Sequence, residues 1–247
     1  MSDNSTPMIE ARGLSKFYGD FAAVRDMSFE VRRCEIVAFL GPNGAGKSTT
    51  MKMLTGYLAP SEGSGWIAGH DMSSDRLAGA NKLGYLPESG PLYPDMTPAE
   101  MLNFFAEARG LRDKEKKACV SMAVEMTDLS TVFYKPIGKL SKGFRQRVGM
   151  AQSLLHGPEV LIMDEPTAGL DPNQTEQVRD TMLKLGEEKT ILLSTHILQE
   201  VDAMASRVIV VNEGQKVADG PIDEFRTDGK TLASEFRRLT VGMANAT

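Results

Sequence analysis

The chain has 247 residues, 41% of them hydrophobic and 25% charged, which suits a soluble globular protein of one or two domains. Its 28 basic and 33 acidic residues give a formal charge of −5, so no general attraction to nucleic acid or anionic lipid operates, and any polyanion needs a local site. Cys34 and Cys119 lie far apart without metal-ligand partners, the start MSDNSTPMIEARG lacks a signal-peptide layout, and no apolar run nears the roughly 20 residues of a membrane span. The two thiols could pair, but a reducing cytoplasm is the simpler expectation.

MIEARGLSKFY and VRDMSFEVR alternate apolar and polar residues and predict antiparallel strands. EIVAFLG is a continuous apolar run ending in glycine, the pattern of a buried parallel strand, and a helix is expected from Lys47 to about Leu54. Another short strand is expected around Trp66 to Ala68. TPAEMLNFFAEARGL has the Thr/Pro start and early Glu of a capped helix, and KEKKACVSMAVEMTDL and the segment after Ser141 continue the helical pattern. VLIMDEP and TILLSTH are two more buried-strand runs around the helix NQTEQVRDTMLKLGEE, and RVIVVNEGQKVADG predicts a hairpin turning at Glu213-Gly214. The alternation predicts an α/β fold with a mainly parallel central sheet, an N-terminal antiparallel β part, and ligands at the carboxyl ends of the parallel strands. The expected division is a core of residues 1–88 and 156–220, a mostly helical insertion at 89–155, and a C-terminal helix and loose tail at 221–247.

The run Gly41-Pro42-Asn43-Gly44-Ala45-Gly46-Lys47-Ser48-Thr49 fits G-x-x-x-x-G-K-[ST] without a mismatch, between a predicted strand and a predicted helix. Gly41, Gly44 and Gly46 let successive N–H groups turn inward around phosphate oxygens, and the helix that follows directs its positive end at the same anion. Lys47 can reach the β- and γ-phosphates, and the Ser48 hydroxyl can ligate Mg²⁺. VLIMDEP supplies the other half of a nucleotide site: four apolar residues bury a strand and deliver Asp164 and Glu165 at its end. Strand alternation sends neighbouring side chains to opposite faces unless the end is twisted. Asp164 is expected to hold Mg²⁺ and Glu165 to orient or deprotonate the attacking water, roles sufficient for phosphoryl transfer.

With these motifs in place the chain resembles the ATP-binding subunits of ABC transporters, from about Met8 to Gly220. The resemblance implies a P-loop NTPase (RecA-like) core that binds ATP with Mg²⁺. LSKGFRQRVGMAQSLL resembles the family signature, with Lys142 and Phe144 in place of the more usual glycine and glutamine. Ser141 and Gly143 open its helix and offer a hydroxyl and N–H groups to an anion, and Ser141 can equally serve as a helix cap. The family's signature faces the phosphate loop of a second subunit, so one copy of each motif implies a homo- or heterodimer. Asp171 in AGLD matches the loop that crosses between subunits, His196 in STHILQEVD the switch histidine that contacts the γ-phosphate, and Tyr18 the aromatic that stacks on adenine. Phe17 next door is expected in the core, and His70 and His156 match no motif. Cys34 stands where the family has a turn glycine.

LGYLPESGPLY places Glu88 where the family has a glutamine, in the loop joining the core to the helical insertion. There the resemblance gives it reach to Mg²⁺ and the attacking water. A carboxylate keeps a metal-ligating oxygen, loses the amide donor and adds charge. FRQR and YLPE…PLYPDMT most resemble subunits of ABC-2-type exporters of the gliding-motility, copper-maturation and multidrug groups, which implies a separate transmembrane permease and a cytoplasmic subunit held peripherally on the inner membrane face. The alternative is a soluble ABC ATPase that clamps nucleic acid or ribosomes. Such proteins typically carry two ATP domains, coiled coils or zinc inserts, and the acidic balance supplies no basic track. Intact Lys47, Asp164, Glu165 and His196 argue against a regulatory subunit that binds ATP without turnover.

Overall fold

β1 (Ile9–Tyr18) and β2 (Phe21–Val31) pair antiparallel, and β4 (Glu62–Ile67) and the two-residue β5 (His70–Asp71) extend this into a sheet ordered β2-β1-β4-β5. The computed structural model describes residues 6–227 and 230–241. A second sheet of six strands carries β3 (Ile36–Leu40), β6 (Leu83–Leu86), β7 (Val160–Asp164), β8 (Thr190–Thr195), β9 (Arg207–Asn212) and β10 (Gln215–Pro221). Its order is β10-β9-β3-β8-β7-β6, parallel throughout except for the antiparallel edge strand β10. The β9–β10 turn is the expected one, with Glu213 and Gly214 at φ 48° and 78°. Two consecutive positive φ values suit the primed two-residue turns that match strand twist.

The parallel strands are buried on both faces, which is why their sequences read as unbroken apolar runs. Alternate residues enter different cores. Val37, Phe39, Ile162 and Leu192 pack towards the antiparallel sheet and α1 (Lys47–Leu54), while Ala38, Leu40, Met163 and Leu193 pack towards the helices on the other side. Phe29 of β2 meets Phe39 of β3 at a ring separation of 5.4 Å and joins the two sheets. Each such side chain, fully buried, contributes roughly 1.5–3 kcal/mol.

Three helices fill the stretch expected to be helical: α3 (Pro98–Ala108), α4 (Asp113–Met126) and α5 (Lys142–Leu154). Thr97 starts α3 with a full capping box, its hydroxyl accepting from the Glu100 N–H and the Glu100 carboxylate accepting from the Thr97 N–H. α6 (Pro172–Gly186) connects β7 to β8 as anticipated. α2 (Arg76–Lys82) and α7 (Leu198–Met204) are seven-residue helices that the sequence pattern did not reveal. α8 (Leu232–Val241) is the expected C-terminal helix, and the tail foreseen beyond it lies outside the described residues. Among the described residues no helix is long and apolar enough to cross a membrane.

Phe17 corrects an expectation. It is 37% exposed, because β1 shifts register between Lys16 and Phe17 and loses the regular alternation that would send its ring inward. His70 sits at the surface against Asp75, whereas the half-buried His156 packs between elements and its ring nitrogen Nε2 lies 3.0 Å from the Leu83 carbonyl. Both cysteines are free thiols. Cys34 lies exposed in the turn between β2 and β3 at φ 59°, with its N–H donating to Thr190 Oγ1 at 3.0 Å. The turn forms with a side chain in place, in a conformation that favours glycine. The left-handed penalty of roughly 1–2 kcal/mol exceeds the roughly 0.5–1 kcal/mol that glycine loses in backbone entropy. Cys34→Gly should therefore raise the urea midpoint by about 0.5 kcal/mol of stability at unchanged slope. An unchanged or lower midpoint would count against strain at this turn.

Candidate functional site

Strand register brings the site together. Leu40 of β3 pairs with Thr195 of β8, and Ser194 of β8 pairs with Asp164 of β7, so three strands end at one level. The chain continues from these ends into Gly41, His196 and Glu165. A cavity of about 580 Å³ opens there, lined by Tyr18, Asn43, Gly44, Gly46, Lys47, Ser48, Thr49, Glu88, Glu165 and His196. Gly41, Pro42 and Ala45 of the phosphate loop do not line it, and neither does Asp164. A Cβ at Gly41 would meet the Val211 carbonyl at 2.5 Å, and one at Gly46, which has φ 93°, would meet the Ala23 carbonyl at 2.6 Å. Side chains at these two positions would break the loop against its neighbours.

Lys47 is only 6% exposed; its ammonium donates to the carbonyls of Gly41 (2.9 Å) and Pro42 (3.2 Å) and pairs with Glu165 Oε1 at 3.3 Å. The Ser48 hydroxyl donates to Asp164 Oδ1 at 3.1 Å, and the Ser194 hydroxyl donates to the same oxygen. A serine hydroxyl and a carboxylate are hard oxygen donors and fit Mg²⁺, which favours oxygen ligands completed by phosphate. Glu88, exposed in its loop, lines the cavity together with Ser48.

Glu165 does not simply point away from Asp164 as strand alternation would have it. The strand ends at Asp164 and Glu165 turns out at φ 50°, with its N–H directed at both the carbonyl and the hydroxyl of Ser194, each at 3.1 Å. The turn gives the two carboxylates separate partners: Glu165 lines the cavity, while Asp164 meets the Ser48 and Ser194 hydroxyls. Glu165 Oε2 lies 2.8 Å from His196 Nδ1, and Glu165 is 8% exposed. A carboxylate held between an ammonium and an imidazole can take a proton from a water and stay anchored.

Ser141, Gly143 and Asp171 do not line this cavity. Ser141 caps α5 by accepting from the Phe144 N–H at 3.3 Å, and Asp171 caps α6 by accepting from the Gln174 N–H at 2.9 Å. They are neighbours of each other: Gly143 lies against Gln174, and the Lys142 ammonium against Gly169. The sequence reading missed Phe21, Ser194, Thr195, Thr167 and Glu200. Phe21 was within reach, because the two-residue turn after Tyr18 pairs Tyr18 with Phe21 and puts both rings at the mouth of the cavity. Ser194 carries no local signal, since its meeting with Asp164 depends on the pairing of two distant strands.

The ABC transporter family model matches residues 24–168, more than half of the chain. The chain belongs to this family. It is 36% identical over 224 residues to the ABC transporter ATP-binding protein YxlF of Bacillus subtilis (strain 168), covering 91% of this chain and 74% of that one. It is also 36% identical to the Nod factor export ATP-binding protein I of Ralstonia nicotianae (strain ATCC BAA-1114 / GMI1000), covering 90% and 70%. A solved ATP-binding subunit of an ABC transporter superposes with a TM-score of 0.83 at 30% identity, over 94% of this chain and 99% of that one. This ABC ATPase binds and hydrolyses ATP with Mg²⁺ as its cation. A clamp on nucleic acid or ribosomes is not favoured, since all three relatives are named as transporter subunits or export proteins.

Glu165→Gln keeps the size of the side chain and its bond to His196 but removes the basic carboxylate. ATP binding should persist while turnover falls by about 100-fold or more, measured as phosphate release beside equilibrium ATP binding. A variant hydrolysing at the parent rate would remove Glu165 from the chemistry.

Proposed function

We propose that this chain is the energy-coupling subunit of an ABC-2-type exporter, working as a pair of ATP-binding subunits under a separate transmembrane permease. The observation that carries the reading is the separation of motifs on one chain. Most of the phosphate loop, Glu165 and His196 line one cavity, Asp164 is bonded to Ser48 of that lining, and Ser141, Gly143 and Asp171 do not line it. Those three residues lie at the α5 and α6 starts, with Ser141 and Asp171 exposed where a second subunit can reach them and Gly143 buried against Gln174. ATP then lies between two chains, closure follows binding and opening follows hydrolysis. The partner is a second copy or a related subunit. Export is supported by the likeness to a Nod factor export protein and by the FRQR form of the signature.

The roles of the side chains follow from their surroundings. Tyr18, 54% exposed, presents its ring to the adenine. The N–H groups of Asn43 to Thr49 cradle phosphates, Lys47 neutralises their charge, and Ser48 and Asp164 hold Mg²⁺, which when bound offsets the charge developing on the phosphoryl oxygens. Glu165 receives the proton of the attacking water and His196 holds Glu165 and the γ-phosphate end.

Glu88 stands in a loop that faces two cavities. Glu88 itself lines the nucleotide cavity, while its neighbours Pro87 and Ser89, with Pro91, line a groove of about 470 Å³ bounded by Tyr57, Leu83, Tyr85 and Arg109. The Tyr85 hydroxyl in that groove is buried without a hydrogen-bond partner among the described residues. A permease segment seated in the groove would press on the loop that carries Glu88. The subunit is accordingly assigned a cytoplasmic, peripheral place on the inner face of the membrane.

Purification from membranes should bring down a polytopic permease; recovery on ribosomes or DNA would overturn the transporter reading. With the permease present, Glu88→Ala should raise the Mg²⁺ concentration for half-maximal turnover by about 3-fold, or uncouple turnover from transport. Wild-type values for both would remove Glu88 from the mechanism.

A further inference from the structure

Glu200, on the first turn of α7, is 5% exposed, in surroundings where an apolar side chain would cost less to bury. Among the described residues no Lys, Arg or His lies within ion-pair distance of it. Its partners are two hydroxyls. Thr195 Oγ1 donates to Glu200 Oε2 at 2.7 Å, and Thr167 Oγ1 donates to Glu200 Oε1. Both threonines are buried, at 0% and 3% exposed.

The two hydroxyls flank the Glu165–His196 pair. Thr167 comes two residues after Glu165, and Thr195 comes immediately before His196. Thr195 is tied further: its hydroxyl accepts from the Ile197 N–H at 3.0 Å, and its carbonyl accepts from the Gly41 N–H at 3.3 Å, where the phosphate loop begins. One carboxylate therefore spans the segments that carry the two reacting side chains. Each oxygen takes one segment, so a shift of either strains the other. Bonds of this kind are strong in a dry interior, and an unpaired member is costly, so the geometry has one satisfied arrangement.

We infer that Glu200 is a positioning residue for hydrolysis, holding the Glu165–His196 contact of 2.8 Å in register with the phosphate loop. The inference rests on the roles proposed above for Glu165 and His196. Glu200 touches neither nucleotide nor water in this scheme and acts through Thr167 and Thr195.

Single-turnover and steady-state ATP hydrolysis on one panel of full-length variants test it. Glu200→Ala should lower kcat about 10-fold or more with KM for ATP within about 3-fold of the parent, since misplacement of a reacting group costs rate rather than binding. Thr195→Val and Thr167→Val, which keep shape and remove one donor each, should lose part of that factor. Thr195→Ser, which keeps the hydroxyl, should restore it. These variants carry the test if Glu200→Ala folds poorly. Placed on His196→Ala, Glu200→Ala should cost less than about 3-fold more, because the contact it aligns is already gone. A full, independent loss in that background, or a Glu200→Ala kcat within about 2-fold of the parent, overturns the positioning role and leaves the proposed function standing. A His196→Ala variant hydrolysing at the parent rate overturns the His196 role and this inference with it.

Discussion

The parallel pairing of β3, β8 and β7 is the constraint from which the rest of the site follows. These strands are buried on both faces, so each residue is committed to one of two cores. A slip of one position would move every side chain to the wrong core. The apolar contacts of Phe39, Ile162, Leu192 and Met163 hold the register, and the register ends all three strands at a common level. Packing that looks unrelated to chemistry thereby sets where Gly41, Glu165 and His196 emerge.

Charge then has to be managed where the strands end. Lys47, Asp164 and Glu165 are all under a tenth exposed, and an isolated charge at such depth would be expensive. The structure meets this with close partners: carbonyls of the phosphate loop and Glu165 for Lys47, hydroxyls of Ser48 and Ser194 for Asp164, and His196 and Lys47 for Glu165. Behind them the hydroxyls of Ser194, Thr195 and Thr167 are taken up by Asp164 and Glu200. The loop of Glu88 is different, exposed and shared between the nucleotide cavity and the groove under Tyr57 and Arg109. One wall of the site is firmly held and another is an exposed loop.

Much of this was readable residue by residue. The phosphate loop, the capped start of α3, the β9–β10 turn and the buried strand runs each depend on neighbours a few positions apart. What escaped were elements too short to show a period: β5 with two residues, β6 with four, and α2 and α7 with seven each. Phe17 was misread because a register shift at the end of β1 overrides alternation. The sequence left open whether the strand end twists at Glu165, since a φ of 50° at a glutamate is sustained by two bonds to Ser194, a residue of another strand.

The sequence by itself determined the family and the nucleotide chemistry and offered candidates for the groups that perform it, because these reside in contiguous motifs whose spacing matches phosphate and metal. Only the tertiary structure decided which groups share a cavity. It separated Ser141, Gly143 and Asp171 from the phosphate loop on their own chain, and it put Glu88 on the nucleotide cavity with its neighbours Pro87 and Ser89 on a second groove. It also joined Glu200 to Thr167 across β7 and β8. Those relations depend on contacts between segments far apart in the chain, such as the pairing of Leu40 with Thr195 and the bond of Ser48 to Asp164, and local spacing carries no information about them.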